Sequence, residues 1–115
     1  IGYKKNPFKY IKQSEIFLLT SIFEGSPNVL IEAQCLKKYI ISTDCPTGPR
    51  EILQNGKFGE LVKMGDYKNI AKRLENFSYN AAVKKKVMLG FNNIKNYDHK
   101  KNCMKYYNLI NEYLI

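Results

Sequence analysis

Apolar residues recur along this chain in two patterns, as short continuous runs and as stripes at helical spacing. The runs Ile16–Thr20 and Tyr39–Thr43 have the length of strands, and a third short strand is expected at Glu60–Lys63. Continuous apolar runs of this length are typical of parallel strands that are buried on both faces of a sheet. A helix between the first two runs would complete a strand–helix–strand unit, so we expect these strands to be parallel.

The helical stripes begin after residues that can cap a helix. Asp66, Asn80 and Asp98 each precede a stripe and carry a side-chain oxygen that can accept a backbone N–H. The predicted helical segments are residues 7–14, 27–37, 50–53, 67–77, 80–94 and 98–115. One stripe is expected to bury five residues on a single face: Tyr67, Ile70, Ala71, Leu74 and Phe77. The alternation of strands and helices predicts an α/β fold.

The stretch from Phe23 to Ala33 holds the strongest candidate for chemistry. Ser26 can cap a helix with its hydroxyl, and Pro27 fits the first helical position because its missing N–H costs nothing there. The free N–H groups and the dipole of a helix beginning here would suit an anion such as phosphate. Gly25 would let a ligand approach the backbone closely.

Two glutamates flank this helix start, Glu24 in the loop before it and Glu32 inside it. Glu32 lies in an apolar run, and an unpaired buried carboxylate is costly, so hydrogen bonds to sugar hydroxyls would explain it. The plainer alternative is that Glu32 lies at the exposed edge of the helix and that Ser26-Pro27 only marks the helix start. The residues alone leave both interpretations open.

A second loop is expected at the same edge of the sheet. Residues 44–50 follow the second strand, as Glu24 follows the first. Ligands bind beyond the carboxyl ends of the strands in parallel sheets, so the two loops should converge on one site. Thr47 and Gly48 could offer that site a hydroxyl and backbone N–H groups.

The chain is basic, with 19 Lys and Arg against 10 acidic residues and a net charge of +9. Only Arg50 and Arg73 are arginine, the residue enriched in specific base and phosphate recognition, and no zinc-finger or RNA-binding motif occurs. Specific nucleic-acid binding is therefore not expected. For Arg50 we favour pairing with Asp44 or Glu51 over contact with a phosphate. The lysines could help docking on an anionic membrane, or could simply form a solvated surface.

No metal or cofactor is predicted. Asp occurs only at positions 44, 66 and 98, so there is no Asp-x-Asp motif, and His99 is a lone histidine. Three cysteines, odd in number and widely spaced, fit neither a disulfide framework nor a metal site, so we expect reduced thiols in the cytosol. No P-loop, nucleophile elbow or G-x-G-x-x-G occurs, and no apolar run approaches the roughly 18 residues of a membrane span.

Three segments carry recognisable motifs in order. Glu24 and Glu32 have the spacing E-x7-E, within a segment that reads Glu-Gly-x-Pro-Asn-x-x-x-Glu-Ala. Residues 41–53 contain a T-D-x-x-x-G-x-x-E-I turn, and residues 55–62 read N-G-x-x-G-x-L-V. Together they resemble the group 1 glycosyltransferases, a retaining family with the two-domain GT-B architecture. The resemblance covers most of residues 7–77 and implies a partial Rossmann-like parallel sheet with flanking helices, the C-terminal half of a GT-B donor domain.

The resemblance also implies roles for the candidate residues. Glu24 would be the catalytic glutamate and would hydrogen-bond hydroxyls of the donor sugar, and Glu32 would bind the ribose. The residues implied in binding the donor sugar and diphosphate are Glu24, Gly25, Ser26, Pro27, Asn28 and Val29. No metal is implied, because GT-B enzymes generally hold the diphosphate with helix dipoles and basic residues. Ser26 departs from the bulkier residue that the family usually has at this turn.

The function implied is retaining transfer of a sugar from a nucleotide diphosphate to a glycan or lipid-linked acceptor, as in bacterial surface polysaccharide synthesis. The location would be the cytoplasm or the inner face of the membrane. Residues 1–115 would form one partial domain, whose final helix, 98–115, packs toward an N-terminal acceptor domain that this sequence lacks, so the fragment alone is not expected to be active. The alternative is a non-catalytic Rossmann-like module that binds a nucleotide or a partner domain.

Overall fold

A computed structural model describes residues 2–23, 28–95 and 108–112. Strands and helices alternate along the described chain, which confirms the predicted α/β fold. The elements are α1 (Phe8–Gln13), β1 (Ile16–Leu19), α2 (Asn28–Cys35), β2 (Tyr39–Thr43), α3 (Pro49–Ile52), β3 (Glu60–Val62), α4 (Tyr67–Glu75) and α5 (Ala81–Lys95). Of the predicted C-terminal helix, residues 108–112 are helical and Ile110 is fully buried, whereas the proposed cap Asp98 lies outside the described residues.

The strands form one parallel sheet in the order β1-β2-β3 within the described residues. Ile16 is aligned with Tyr39, and Ile41 is aligned with Glu60. Every residue of β2 is buried, as expected for a central strand that is covered on both faces. The prediction of parallel strands is therefore confirmed.

Two apolar clusters cover the two faces of the sheet. Successive residues of a strand point to opposite faces, so Ile40 belongs to one cluster and Tyr39 and Ile41 belong to the other. The first cluster also contains Leu30, Ala33, Leu53 and Phe58. The second also contains Val62, Ile70 and Val87. Helices α2 and α3 thus cover one face, and α4 and part of α5 cover the other.

Helix α2 ends before the predicted Lys37, because Lys37 adopts a left-handed conformation with φ of 56°. The N–H of Lys38 donates to the carbonyl of Ala33 at 3.0 Å, and the N–H of Lys37 donates to that of Gln34 at 3.0 Å. This is the Schellman arrangement, which satisfies the last carbonyls of a helix. A glycine would mark such an end in the sequence, and here a lysine fills the position.

The buried stripe predicted for α4 is only partly correct. Ile70 is buried and Phe77, just beyond the helix, is half-buried, whereas Tyr67, Ala71 and Leu74 are exposed. At 100° per residue, positions 70 and 77 lie on nearly one line along the helix, while 67, 71 and 74 lie further round it. The sheet covers only the first line, so the wider apolar stripe is not all core.

Gly59, the second glycine of the motif in residues 55–62, is required by close packing. A Cβ added there would lie 2.8 Å from the carbonyl oxygen of Ile40, which is closer than a side-chain carbon can come. Glycine therefore allows the segment before β3 to approach β2 closely.

The cysteines depart in part from expectation. Cys45 is a free, buried thiol, as predicted. Cys35, at the end of α2, is disulfide-bonded, so the expectation of a reduced thiol is wrong for this residue.

Candidate functional site

The structure describes part of the predicted site. Glu24, Gly25, Ser26 and Pro27 lie outside the described residues, so the proposed anion-binding turn stays a prediction. Asn28, Val29 and Glu32 belong to α2, and Thr47 and Gly48 belong to the loop between β2 and α3. These five residues are the predicted site residues whose positions the structure describes.

Asn28 and Glu32 share one face of α2. They are four residues apart, about one helical turn, so their side chains are neighbours on the helix surface. The residues that α2 buries are Leu30, Ala33, Gln34 and Cys35, and Leu30 and Gln34 lie on the side of the helix away from Glu32. Glu32 is half-buried and Asn28 is exposed. The carboxylate of Glu32 thus sits at the edge of the helix, so its burial alone does not require a ligand.

Thr43 joins the ends of the first two strands. Its hydroxyl lies 2.6 Å from the carbonyl oxygen of Ser21 and 3.4 Å from that of Leu19, and the side chain is buried. On the other side, the N–H of Asp44 donates to the carbonyl of Val62 at 2.8 Å. The carboxyl ends of all three strands are therefore held together by hydrogen bonds, which forms a fixed edge beside the start of α2.

The loop after β2 lines a cavity at this edge of the sheet, with a volume of about 350 Å³. Thr47 and Gly48 line it, and both have positive φ, 60° and 107°. The hydroxyl of Thr47 donates to the carbonyl of Pro46 at 2.7 Å. The loop thus forms a recess at the end where parallel sheets bind ligands, and contact of Thr47 and Gly48 with a ligand stays a prediction.

Arg50 pairs with Asp44, which was the favoured interpretation. Its Nε donates to Asp44 Oδ1 at 3.1 Å, and its Nη2 contacts Asp44 Oδ2. Hydrogen bonding from Arg50 lowers the pKa of the Asp44 carboxyl below its usual range. The guanidinium is therefore engaged, and a phosphate would have to compete with Asp44 for it.

A second polar cluster, which the sequence did not reveal, lies on the sheet face covered by α4 and α5. The hydroxyl of Tyr39 donates to Glu60, and Arg73 forms an ion pair with the same carboxylate. Arg73 Nε also donates to Asn69 Oδ1 at 3.2 Å. Burial is the main reason that the pKa of Tyr39 is raised, and the charge of Arg73 partly opposes it. The one signal in the sequence was a rare arginine, Arg73, beside the apolar stripe of α4.

The residues that the structure describes bear on metal binding and on membrane insertion. They contain no group of three or more His, Cys, Asp and Glu side chains that could hold a metal ion. Among the helices of residues 2–23, 28–95 and 108–112, none is long and apolar enough to cross a bilayer.

Comparison with known families places these features in context. The family model described as Glycosyl transferases group 1 matches residues 1–96 of the chain. The chain belongs to this family. The match spans the strands, helices α1 to α5 and both loops at the carboxyl ends, so the predicted resemblance is confirmed.

Curated glycosyltransferases are similar to parts of this chain. An uncharacterized glycosyltransferase of Methanocaldococcus jannaschii is 57% identical, over 55% of this chain and 19% of that protein. The capsular polysaccharide biosynthesis glycosyltransferase CapM of Staphylococcus aureus is 30% identical, over 87% of this chain and 26% of that protein. The chain thus spans about a fifth to a quarter of the length of these relatives.

A solved structure gives the same picture of the fold. The crystal structure of TarM superposes with a TM-score of 0.74 at 24% sequence identity, covering 96% of this chain and 23% of that one. The three parallel strands and flanking helices of this group 1 chain therefore recur in TarM.

Proposed function

We propose that this chain is the nucleotide-sugar-binding part of a retaining glycosyltransferase. It would bind a nucleotide-diphosphate sugar for transfer to a glycan or lipid-linked acceptor. The observation that carries the proposal is the shared face of Asn28 and Glu32, at the start of a helix that enters from the carboxyl end of a parallel sheet. Membership of the group 1 family supports it.

The roles proposed for the individual residues are those that the resemblance to the group 1 family implies. Glu24 would hydrogen-bond the donor sugar as the catalytic glutamate, with Gly25, Ser26, Pro27, Asn28 and Val29 around the sugar and diphosphate. Glu32 would accept hydrogen bonds from the ribose, since its carboxylate has two acceptor oxygens. Thr47 and Gly48, which line the recess formed by the loop after β2, would contact the donor from that loop.

Negative charge develops on the departing nucleotide diphosphate during glycosyl transfer. The N-terminal end of α2 carries a fixed partial positive charge, and such a preorganised dipole stabilises charge that appears only in the transition state. No metal is included in the proposal, because the helix end would do this work.

The acceptor class is supported by the names of relatives. A relative from Campylobacter jejuni, 39% identical over 56% of this chain and 18% of that protein, is named as an N-acetylgalactosaminyltransferase acting on a diphospho-undecaprenol-linked sugar. CapM is named for capsular polysaccharide biosynthesis. We therefore extend the proposal to bacterial surface polysaccharide synthesis, on the cytoplasmic side of the membrane.

Peripheral contact with an anionic membrane is part of this proposal. The segment before β1 contributes Lys4, Lys5, Lys9 and Lys12, and its only acidic residue is Glu15. Lys4 and Lys9 lie 6.0 and 5.1 Å from the ring centroid of Tyr10. Basic and aromatic side chains together favour the surface of an anionic bilayer.

The direct test is an amide NMR titration of the 115-residue chain with UDP, GDP and their sugar conjugates. We expect saturable shifts at the amides of Gly25, Ser26, Asn28 and Val29 and at Glu32; Pro27 has no amide proton. Glu32→Ala and Glu24→Ala should each weaken binding, by about tenfold if one charge-assisted hydrogen bond is lost. Glu75→Ala, an exposed glutamate on α4, is the matched control and should leave binding unchanged.

Two outcomes would contradict the proposal. Shifts spread over the lysines and abolished by moderate salt would mean charge attraction alone. Equal loss of affinity in Glu75→Ala would mean that any carboxylate change has the same effect, which would remove the assigned role of Glu32.

A further inference from the structure

A cavity of about 500 Å³ lies between the sheet and helices α4 and α5, away from the edge where the donor would bind. Tyr39 and Glu60, the first residues of β2 and β3, line it, so it faces the amino-terminal halves of these strands. The site proposed above lies beyond their carboxyl ends. The cavity is therefore a separate feature of the molecule.

Positive charge exceeds negative charge in this cavity. Lys72, Arg73 and Lys86 line it, and Glu60 is the one carboxylate among its described lining residues. Glu60 already binds Arg73 and Tyr39. Its charge is thus balanced locally, and an excess of two positive charges is left.

Lys86 is held in the cavity by neutral partners. Its ammonium donates to the carbonyls of Gly56 and Gly59, each at 3.2 Å. Burial lowers the pKa of Lys86, and the nearby charge of Arg73 lowers it further. Two cations that share a partly desolvated space destabilise each other, and a bound anion would reverse that effect.

Neutral donors complete the surroundings. Asn76, Asn80 and Ser78 line the same cavity, and the side chains of these residue types can donate hydrogen bonds. Asn80 Oδ1 accepts the N–H of Val83 at 3.0 Å and so caps α5, a helix of 15 residues. The positive end of its dipole therefore lies at the cavity wall, where Ala82 belongs to the lining.

We propose that this cavity binds the phosphate group of a phosphorylated sugar or polyol. A phosphate ester at neutral pH carries close to two negative charges, which match the excess of two cations. Lysine, arginine and a helix N-terminus are the groups that hold phosphate in proteins. The volume exceeds what a phosphate alone would fill and leaves room for the attached sugar or polyol.

The test is an NMR titration of the 115-residue chain with glycerol 3-phosphate and, separately, with inorganic phosphate. Glycerol at the same concentration and sodium chloride at the same ionic strength are the controls. We expect saturable shifts at Lys72, Asn80 and Ala82 with both phosphates and none with either control. Tighter binding of the ester would support a phosphorylated sugar or polyol as the ligand, and tighter binding of inorganic phosphate would overturn that assignment.

A matched pair of variants tests the location of the site. Ala82→Glu adds a negative charge to the cavity lining, and Ala81→Glu adds the same charge one residue earlier, outside the lining. Acidic residues are favourable in the first turn of a helix, so both variants should fold. We expect Ala82→Glu to weaken phosphate binding about tenfold, the effect of losing one charged interaction, and Ala81→Glu to leave it within about twofold.

A second pair removes positive charge. Lys72→Gln should weaken binding, and Lys68→Gln, on the same helix but outside the lining, should not. A titration of Lys86 should also show its pKa rising when phosphate is bound.

Equal effects within either pair, or shifts at lysines throughout the chain that salt abolishes, would overturn the proposal. Neither result would bear on UDP or GDP binding at residues 25–32, so the two proposals fail independently.

Discussion

The two arginines of this chain pair with carboxylates at opposite ends of the sheet, and the surroundings of the two pairs differ. Arg50 and Asp44 lie beyond the end of β2, and the arginine side chain is 64% exposed. Arg73 and Glu60 lie beside the first residues of β2 and β3, with side-chain exposures of 38% and 21%. An arginine–carboxylate ion pair is therefore largely exposed to water at one end of the sheet and lies in a partly enclosed cavity at the other.

The difference separates two uses of charge. An exposed pair contributes little to stability because solvent and salt screen it, and it can open to admit a ligand. A partly buried pair contributes little as a pair, but loss of one partner is costly because the other charge stays desolvated. The carboxyl-end edge is thus suited to binding, whereas the Arg73–Glu60 pair holds α4 to the sheet.

The largest expected effect comes from Arg73→Met, which leaves the carboxylate of Glu60 without its cation. We expect a loss of about 2 kcal/mol in the free energy of unfolding, less than the roughly 3–5 kcal/mol of a fully buried pair because Arg73 remains over a third exposed. Urea denaturation at pH 7 measures it.

The double variant Arg73→Met/Glu60→Gln is the control for this effect. It should recover much of the lost stability, since no unpaired charge remains. If Arg50→Met costs as much as Arg73→Met, the two ends of the sheet do not differ as proposed.

The next effect is that of Thr43→Val, which keeps the shape of the side chain but removes its hydroxyl. The hydrogen bond to the carbonyl of Ser21 is lost and that half-buried residue loses a partner, so we expect about 1 kcal/mol of destabilisation. Thr20→Val, at an exposed position beyond β1, removes a hydroxyl without this contact and should cost less. Thermal or urea unfolding of both variants checks the difference, and equal losses would show that Thr43 does not tie the edge together.

Tyr39→Phe removes the hydrogen bond to Glu60 at every pH, and a further, smaller effect is expected at alkaline pH. Burial raises the pKa of Tyr39, so the folded state favours the neutral phenol. That contribution is fully present below the usual tyrosine pKa of about 10 and is lost as the pH rises through the higher pKa of the folded state. Unfolding measured from pH 9 upward should therefore show a steeper loss in the wild type than in Tyr39→Phe. Parallel curves would mean that the phenol is not desolvated.

How far the sequence predicted this molecule depends on the range of the interactions involved. The strands were found within a residue of their ends because continuous apolar runs such as Tyr39–Thr43 report burial on both faces directly. The caps Asp66 and Asn80 were also predicted, and each accepts the N–H three residues later. These are local signals.

The misses are non-local. Tyr67 and Leu74 are apolar and correctly spaced, yet whether a helical stripe is buried depends on how much of it the sheet covers. The pairing of Glu60 with Arg73 joins residues 13 positions apart through the packing of α4 on the sheet, and no spacing rule predicts it. For Glu32 the residues left two positions open, a buried site and the exposed edge of the helix, and only the rotation of α2 on the sheet decides for the edge.

The smallest effect sharpens the comparison at the carboxyl-end edge. Hydrogen bonding from Arg50 lowers the pKa of Asp44, so Arg50→Gln should return the Asp44 pKa toward the usual value of about 3.9. Because the folded pKa is depressed, the contribution of this pair is present above the usual aspartate pKa and is lost as the pH falls through the lower value. A carbon-13 NMR titration of the Asp44 carboxyl measures the shift, and raising the salt concentration should diminish it in the wild type.

At neutral pH the variant should unfold like the wild type while the loop of Thr47 and Gly48 keeps its shape. If Arg50→Gln instead destabilises the fold as Arg73→Met does, the edge is a structural anchor, and a phosphate could not displace the pair as the proposed donor site allows.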